Sequence, residues 1–363
     1  MQSPANGPDR PSDGNLSRYG WTADLAAAFS PYRDTGLIPA RIVRVDRGRC
    51  DTVTGHGAVR AGTSALHAPE PLLAPCTGDW AALRPGPEPE LAALLPRSSA
   101  IVRSSASRSS HGQALAANID TVVVTVSLAI PLDAGRLERL MALAWDSGAR
   151  PVVALTKADL AANADAVRAE AGLLAPGAEI VTTSGADGQG VDVLTALLSG
   201  TTVLIGPSGA GKSTLANALL GEDLLATGEV RERDGKGRHT TVRRELLPLP
   251  GGGVLIDTPG LRGIGLHDAA DGLEQVFGEI EELARDCRFG DCAHDSEPGC
   301  AVQAAILAGE LPRRRLDSYR KLQRENAWAA SRNDARKRAE RVDRQKAITR
   351  HQRAIYRFRG PRP

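Results

Sequence analysis

Aromatic side chains are scarce in this chain of 363 residues: four Trp, four Tyr and four Phe make up 3%. Hydrophobic residues still reach 42%, which excludes wholesale disorder, so packed cores have to be built mainly from Ala, Leu, Val and Ile. No apolar run approaches the ~20 uninterrupted residues of a membrane span. The opening MQSPANGPDRPSDGN is polar and Pro-rich and lacks the apolar core of a signal peptide, so a cytoplasmic protein is expected. Five cysteines are too few for a disulfide framework. Three of them crowd into Cys287–Cys300, which fits a metal site in a reducing compartment.

Net charge is almost absent too, at +2 from 45 basic and 43 acidic side chains, but the cancellation is uneven. Residues 311–363 hold 18 basic and 5 acidic side chains, a net of +13, and the remaining 310 residues carry −11. An acidic body joined to a basic tail points to an anionic partner.

The length suits two or three domains. Residues 1–17 read as a disordered leader. Short alternating segments at 40–46, 49–54, 58–63 and 79–83, separated by Gly- and Pro-rich turns, predict a small all-β barrel, of which an OB-type barrel is one possibility among several. A Ser- and Arg-rich linker at 103–112 follows. Strands are then expected at 121–126, 151–155, 179–182, 202–205, 242–247 and 253–256. Helices are expected at 133–147, 160–173, 191–198 and 212–220. That alternation is the rhythm of a doubly wound α/β sheet, which binds ligands at the carboxyl ends of its strands.

The segment Gly206-Pro207-Ser208-Gly209-Ala210-Gly211-Lys212-Ser213 fits GxxxxGK[ST] between an apolar strand and a helix that runs on through Thr214. Its backbone N–H groups and the positive helix end suit phosphate oxygens. Lys212 should reach the β- and γ-phosphates and Ser213 should ligate Mg²⁺. Asp257 closes an apolar strand at Asp257-Thr258-Pro259-Gly260, placed to hold Mg²⁺ through water, with the Gly260 amide available to the γ-phosphate. Thr156-Lys157-Ala158-Asp159 resembles the NKxD element of GTPases, with Thr for Asn. Asp159 would accept from guanine N1–H and N2–H₂, Lys157 would lie over the base, and Ser184-Gly185 suits the loop that meets guanine O6. Adenine would leave the carboxylate unpaired, at about 1–3 kcal/mol or more.

The base elements precede the P-loop, whereas ordinary GTPases place them after it, so the sequence reads as a circularly permuted GTPase. Between P-loop and DxxG lies a glycine-rich segment, 235–241, in which Thr240 or Thr241 can ligate Mg²⁺ and sense the γ-phosphate. Cys287, Cys292, His294 and Cys300 lie within fourteen residues and suit a structural, tetrahedral Zn²⁺ site with no open position. Cys50 and Cys76 read as small core residues.

Together with Ala117-Asn118-Ile119-Asp120 and Ser318-Tyr319-Arg320-Lys321-Leu322, these motifs resemble the RsgA family of ribosome small-subunit-dependent GTPases from about Pro39 to Glu325. The resemblance implies an OB domain, a permuted P-loop GTPase domain and a C-terminal helical zinc-binding domain that engage the 30S subunit, with its 16S rRNA, late in maturation. It also implies GTP hydrolysis that is slow alone and faster on the subunit. The corresponding layout is a flexible leader at 1–36, the barrel at 37–102, a linker at 103–115, the GTPase domain at 116–270, the zinc domain at 271–326 and a basic tail at 327–363.

Leu261 follows Gly260 where Ras-like proteins carry a catalytic glutamine, and the resemblance makes His239 the residue that orients water, beside Lys212 and Thr241. The tail has too few apolar positions after Trp328 for a packing stripe, so it is expected to order on RNA, the plainer alternative being a solvated charged helix. A monomer without membrane contact is expected. Two rivals use the same residues: a P-loop ATPase or kinase, and a nucleic-acid-binding, GTP-dependent regulator that does not act on the ribosome.

Overall fold

The structure, a computed structural model, describes residues 14–66, 71–103, 113–225, 244–257 and 269–333. These fall into two compact units, of which the first takes in nearly all residues up to 263 and the second the C-terminal hundred.

The first unit opens with α1 (Gly14–Ser17), α2 (Ala23–Ala28) and a 3₁₀ turn over Ser30–Thr35. A closed barrel follows, from β1 (Ile38–Asp46), β2 (Arg49–Thr54), β3 (Gly57–Gly62), β4 (Trp80–Arg84) and β5 (Glu90–Leu94). Its order is β1-β2-β3-β5-β4, antiparallel throughout except for the parallel β3–β5 closure, which is an OB-type arrangement. Period-two alternation sends Ala40, Ile42, Cys50, Ala61, Ala81, Leu83 and Leu91 inward. The opposite parity, Val53, Trp80 and Ala82, meets Leu16 and Phe29 with Trp21 and Tyr32 alongside. Residues 14–36 of the expected flexible leader are therefore folded. Aromatic rings draw them onto the outside of the barrel, with Trp21 and Trp80 edge to face at 4.9 Å.

Strands β6 (Ala100–Arg103) and β7 (Gln113–Ala117) pair with each other. The expected linker at 103–115 thus contains strand residues at both ends, and 104–112 lie outside the described residues. The main sheet is built from β8 (Thr121–Ser127), α3 (Ala134–Asp146), β9 (Arg150–Thr156), α4 (Ala164–Leu174), β10 (Glu179–Thr182), α5 (Val191–Leu197), β11 (Thr201–Ile205), α6 (Lys212–Leu220), β12 (Glu245–Pro248) and β13 (Val254–Asp257). The strand order is β10-β9-β8-β11-β13-β12, parallel except for β12. Helix α4 starts later than its apolar pattern predicts because the Asn163 side chain caps it, accepting from the Ala166 N–H at 3.1 Å. One face of the sheet packs Val123, Val152, Leu204 and Leu255 against Leu215 and Leu219 of α6, an aliphatic core as the composition requires.

Barrel and sheet are stitched together at the amino edge of the strands. Asn118, in the left-handed region at φ 52°, donates to the Gly78 carbonyl at 3.0 Å and accepts from the Ser98 N–H at 3.1 Å. Asp120 accepts from the Thr201 N–H at 2.6 Å. Arg41 of β1 is 2% exposed; it donates to Thr201 Oγ1 at 2.9 Å and its guanidinium lies 4.7 Å from the Trp80 ring centroid. Burial lowers its pKa to about 10, and Asp79 and Asp120 oppose the shift.

The second unit is helical: α7 (Ala270–Val276), α8 (Gly278–Arg285), α9 (Ala301–Ala308) and α10 (Arg313–Asn333). Phe277, between α7 and α8, is fully buried and meets Tyr319 of α10 at 5.3 Å. Helix α10 extends through 327–333, so the first residues of the expected basic tail are helical, and 334–363 lie outside the described residues.

Arg41 gives the first prediction. Arg41→Met keeps the bulk but removes a desolvated cation over Trp80 and a charged donor to Thr201. It should cost about 2–4 kcal/mol. A urea-unfolding midpoint equal to that of the unchanged chain, followed by tryptophan fluorescence, would count against this account of the seam.

Candidate nucleotide site and metal-ligand cluster

Strand β11 ends at Ile205, and the chain turns directly into Gly206–Gly211 before α6 begins at Lys212. Gly206 is needed for close approach: a Cβ there would fall 2.1 Å from Thr125 Oγ1 of the neighbouring strand, at φ 154°. The same Thr125 hydroxyl donates to the Ile205 carbonyl at 3.0 Å, holding the last residue of β11 to β8. Lys212 Nζ donates to the Gly206 and Pro207 carbonyls at 2.9 and 2.7 Å, so its charge sits over the loop. Ser213 and Thr214 occupy the first turn of α6, where unpaired N–H groups and the helix dipole favour anions. Between the outer face of the loop and α3 lies a cavity of about 240 Å³, walled by Ile130, Leu137, Leu140, Lys157 and Pro207.

The Thr156–Asp159 segment lies on the same carboxyl edge. Thr156 is the last residue of β9, and its hydroxyl, 2% exposed as a residue, donates to the Ala210 carbonyl at 2.7 Å. Lys157 follows at φ 60°, an uncommon conformation for a residue with a Cβ, and opens the 3₁₀ turn that carries Asp159. Ser184, fully buried, donates from Oγ to Asp159 Oδ1 at 2.7 Å. Gly185 packs against the start of α6, where a Cβ would lie 3.0 Å from the Thr214 carbonyl oxygen. Asp187 is held below the usual carboxylate range, first by the Gln189 N–H and then by the Ser184 hydroxyl. The loops after β9, β10 and β11 therefore form one connected constellation. Asp257 ends β13, next to β11 in the sheet, at the same edge. His239, Thr240, Thr241 and Gly260 lie outside the described residues.

In the second unit Cys287 lies just beyond α8 and Cys300 caps α9, accepting from the Gln303 N–H at 3.4 Å. With Cys292 and His294 their ligand atoms all lie within 4.8 Å of one another. Cys287 and Cys300 sulfurs are 3.9 Å apart and stand 3.6 and 3.5 Å from His294 Nδ1. A tetrahedron with Zn–S bonds of ~2.3 Å and Zn–N of ~2.05 Å has edges of about 3.8 and 3.6 Å. The three separations among Cys287, His294 and Cys300 thus match the edges of a tetrahedral site. His294 takes φ 59° to turn its ring inward, and Gln303 Nε2 donates to its carbonyl.

A family model described as RsgA GTPase matches residues 94–267. A small ribosomal subunit biogenesis GTPase RsgA from Streptomyces avermitilis is 58% identical over 330 residues, 90% of this chain and 89% of its own. The chain belongs to the RsgA GTPase family. Among solved structures, YjeQ from Thermotoga maritima is similar with a TM-score of 0.57 at 25% identity, over 79% of this chain and 97% of that one. YloQ, described as a circularly permuted GTPase, matches with a TM-score of 0.55 at 21% identity, over 80% of this chain and 94% of its own, and bears on the fold alone.

The fold class expected from the sequence is therefore the observed one: an OB-type barrel, a circularly permuted P-loop GTPase domain and a helical region bearing the Cys₃His cluster. The permutation leaves the site intact because sheet order, not chain order, decides what is adjacent. Two supports of this RsgA-family site were not singled out from the sequence. Thr125 stands in a run read simply as apolar; its signal is a hydroxyl residue beside the strand that leads into the P-loop. Gln303, which steadies Cys300 and His294, carries no spacing signal.

Thr156→Val keeps the shape of the side chain but strands the buried Ala210 carbonyl. A loss of about 1–3 kcal/mol in stability and a several-fold weaker nucleotide affinity are expected. Thr156→Ser should restore both. Fluorescent-nucleotide titration and thermal unfolding decide it, and a Val variant that binds nucleotide like the unchanged chain refutes the role.

Proposed function

We infer that this chain is a GTP hydrolase that acts in biogenesis of the small ribosomal subunit, as the name of its Streptomyces relative describes that protein. The observation that carries the reading is the junction of a guanine-type base loop to a P-loop, through Thr156 to Ala210 and Ser184 to Asp159.

In the site read this way, Asp159 accepts from the guanine N1–H and N2–H₂, Ser184 holds that carboxylate in place, and Lys157 covers the base. Gly185 brings the O6-facing loop close. The amides of Gly206, Pro207, Ser208, Gly209, Ala210 and Gly211 wrap the phosphates, with Lys212 on the β- and γ-oxygens and the Thr214 amide near the α-phosphate. Bound Mg²⁺ would neutralise charge developing on the phosphate oxygens. Ser213 and Thr241 would hold it directly and Asp257 through water, with Thr240 beside them. The Gly260 amide meets the γ-phosphate. His239 orients the attacking water by accepting its proton, the role a glutamine fills elsewhere. Cys287, Cys292, His294 and Cys300 hold one structural Zn²⁺, which contributes folding free energy to the loop between α8 and α9.

The protein is proposed to work as a cytoplasmic monomer that docks on the 30S subunit through 16S rRNA, with turnover stimulated by docking. Among the described residues no helix is long and apolar enough to cross a membrane.

Three measurements test this reading. GTP hydrolysis by the full chain should rise at least ten-fold with purified small subunits and stay flat with large subunits or bulk RNA. Asp159→Ala should weaken GTP binding roughly 10- to 100-fold without favouring ATP. His239→Ala should bind GTP normally and lose the stimulated turnover. Equal stimulation by bulk RNA would favour the regulator reading instead. Separately, metal analysis should find one zinc per chain, abolished by Cys300→Ala; protein prepared without chelator that holds none rejects the zinc assignment.

A further inference from the structure

Of the four metal-ligating side chains, Cys287 and Cys300 are placed by helices. Cys287 lies just beyond α8 and Cys300 caps α9, so packing of those helices sets both sulfurs. His294 has no such anchor. It stands in an irregular loop, in the left-handed region that a residue with a Cβ rarely adopts. Something else has to hold that loop in the shape that turns the imidazole towards the two sulfurs.

Part of the hold is local. The Glu297 carboxylate accepts from the N–H groups of Ala293, Asp295 and Ser296 at 3.1, 2.8 and 3.1 Å. The rest comes from α10. Arg320, 27 residues after Ala293, donates to its carbonyl at 2.7 Å and pairs with Asp295 Oδ1 at 2.7 Å. One guanidinium thus grips the residue before His294 and the residue after it. The Asp295 side chain is 69% exposed, so water screens that arm of the grip. The carbonyl arm is a charge-assisted bond from a side chain only 18% exposed, and it carries more of the hold. Arg313 lies two turns earlier, within about 20° on the same side of the helix. It donates to Gln303 Oε1 at 3.4 Å, and Gln303 in turn donates to the His294 carbonyl.

We propose that Arg320 is a positioning residue of the metal centre. It holds the backbone on both sides of His294 in the ligating conformation and so couples metal binding to the packing of α10. The proposal rests on the Cys₃His zinc reading above and adds to it a residue outside the ligand set. Such coupling is reciprocal: if α10 raises metal affinity, bound metal stabilises α10 against local opening.

The test loads the full chain with Zn²⁺ and titrates it with a chelator of known affinity. Arg320→Met keeps the packing of the stem and should weaken zinc binding roughly 10- to 100-fold. Arg320→Lys keeps the charge and a donor and should recover most of that loss. Lys321→Met, at the exposed neighbouring position, should bind zinc like the unchanged chain. With Co²⁺ as the probe, the unchanged chain should show the d–d bands of a tetrahedral thiolate–imidazole site. Arg320→Met should shift and weaken them, because the imidazole is no longer held on the ion; a role confined to helix packing would leave them alone. Chelation should speed hydrogen exchange of the 313–333 amides in the unchanged chain, and much less so in Arg320→Met. If Arg320→Met does not fold, Asp295→Asn removes one arm from the loop side and should still cost a few-fold in zinc affinity. Unaltered zinc affinity and cobalt bands in the Met variant overturn the proposal while the zinc assignment stands. Exchange in α10 that ignores the metal overturns the coupling. An unchanged chain that takes up neither ion removes the proposal together with the reading beneath it.

Discussion

Parallel pairing of β11 with β8 on one side and β13 on the other is the constraint on which the nucleotide site depends. It brings the ends of three strands to one edge: the P-loop after β11, Asp257 at the end of β13 and Thr125 near the end of β8. Strand β9 adds Thr156 one place further out, and its hydroxyl closes the gap to the P-loop at 2.7 Å. None of these adjacencies depends on the order in which the chain visits the strands. A permuted sequence can therefore keep the chemistry of an ordinary GTPase, provided that loops at the opposite edge rejoin the strands differently.

That opposite edge is where the barrel attaches. Asn118 grips Gly78 and Ser98, Asp120 takes the Thr201 amide, and Arg41 reaches from β1 to the Thr201 hydroxyl. Thr201 is also the first residue of the strand that leads to the P-loop. The amino end of β11 is thus gripped by the barrel and its carboxyl end by the nucleotide loop. A buried cation at such a seam costs desolvation, visible in the lowered Arg41 pKa. It specifies register because only one rotation of β1 places the guanidinium over Trp80 and against Thr201 together. The segment Ala117–Asp120, which from the sequence is only a family resemblance, thereby acquires a physical reason.

Much of this was legible before any coordinates. Strand β2 and helix α6 fall where the pattern puts them, β2 between turns at Gly48 and Gly55 and α6 at the P-loop boundary. The cysteine cluster was legible because four ligands within fourteen residues have few other uses. The folded segment 14–36 was not: Leu16, Trp21, Phe29 and Tyr32 are spread among polar residues without period. What orders them is Trp80, sixty-four positions after Leu16, and such long-range aromatic contacts leave no local trace. Strand β5 was missed because Glu90–Leu94 is mostly Ala and Leu, residues that do not favour strands. The ties through Thr156 and Thr125 are tertiary in the same sense, joining segments 54 and 80 residues apart in sequence.

The same permutation shapes the other half of the molecule. In chain order residues 258–269 separate the end of β13 from α7, and the described one among them, Ala269, gives its amide to Asn326 of α10. Helix α10 is also held by Arg315 and Tyr319, so its inner face is committed to α7 and α8. The excess of positive charge in residues 311–363 is thus not a separate appendage to a neutral enzyme. It begins on a helix whose other side is bonded to Ala269, the first residue described beyond that segment.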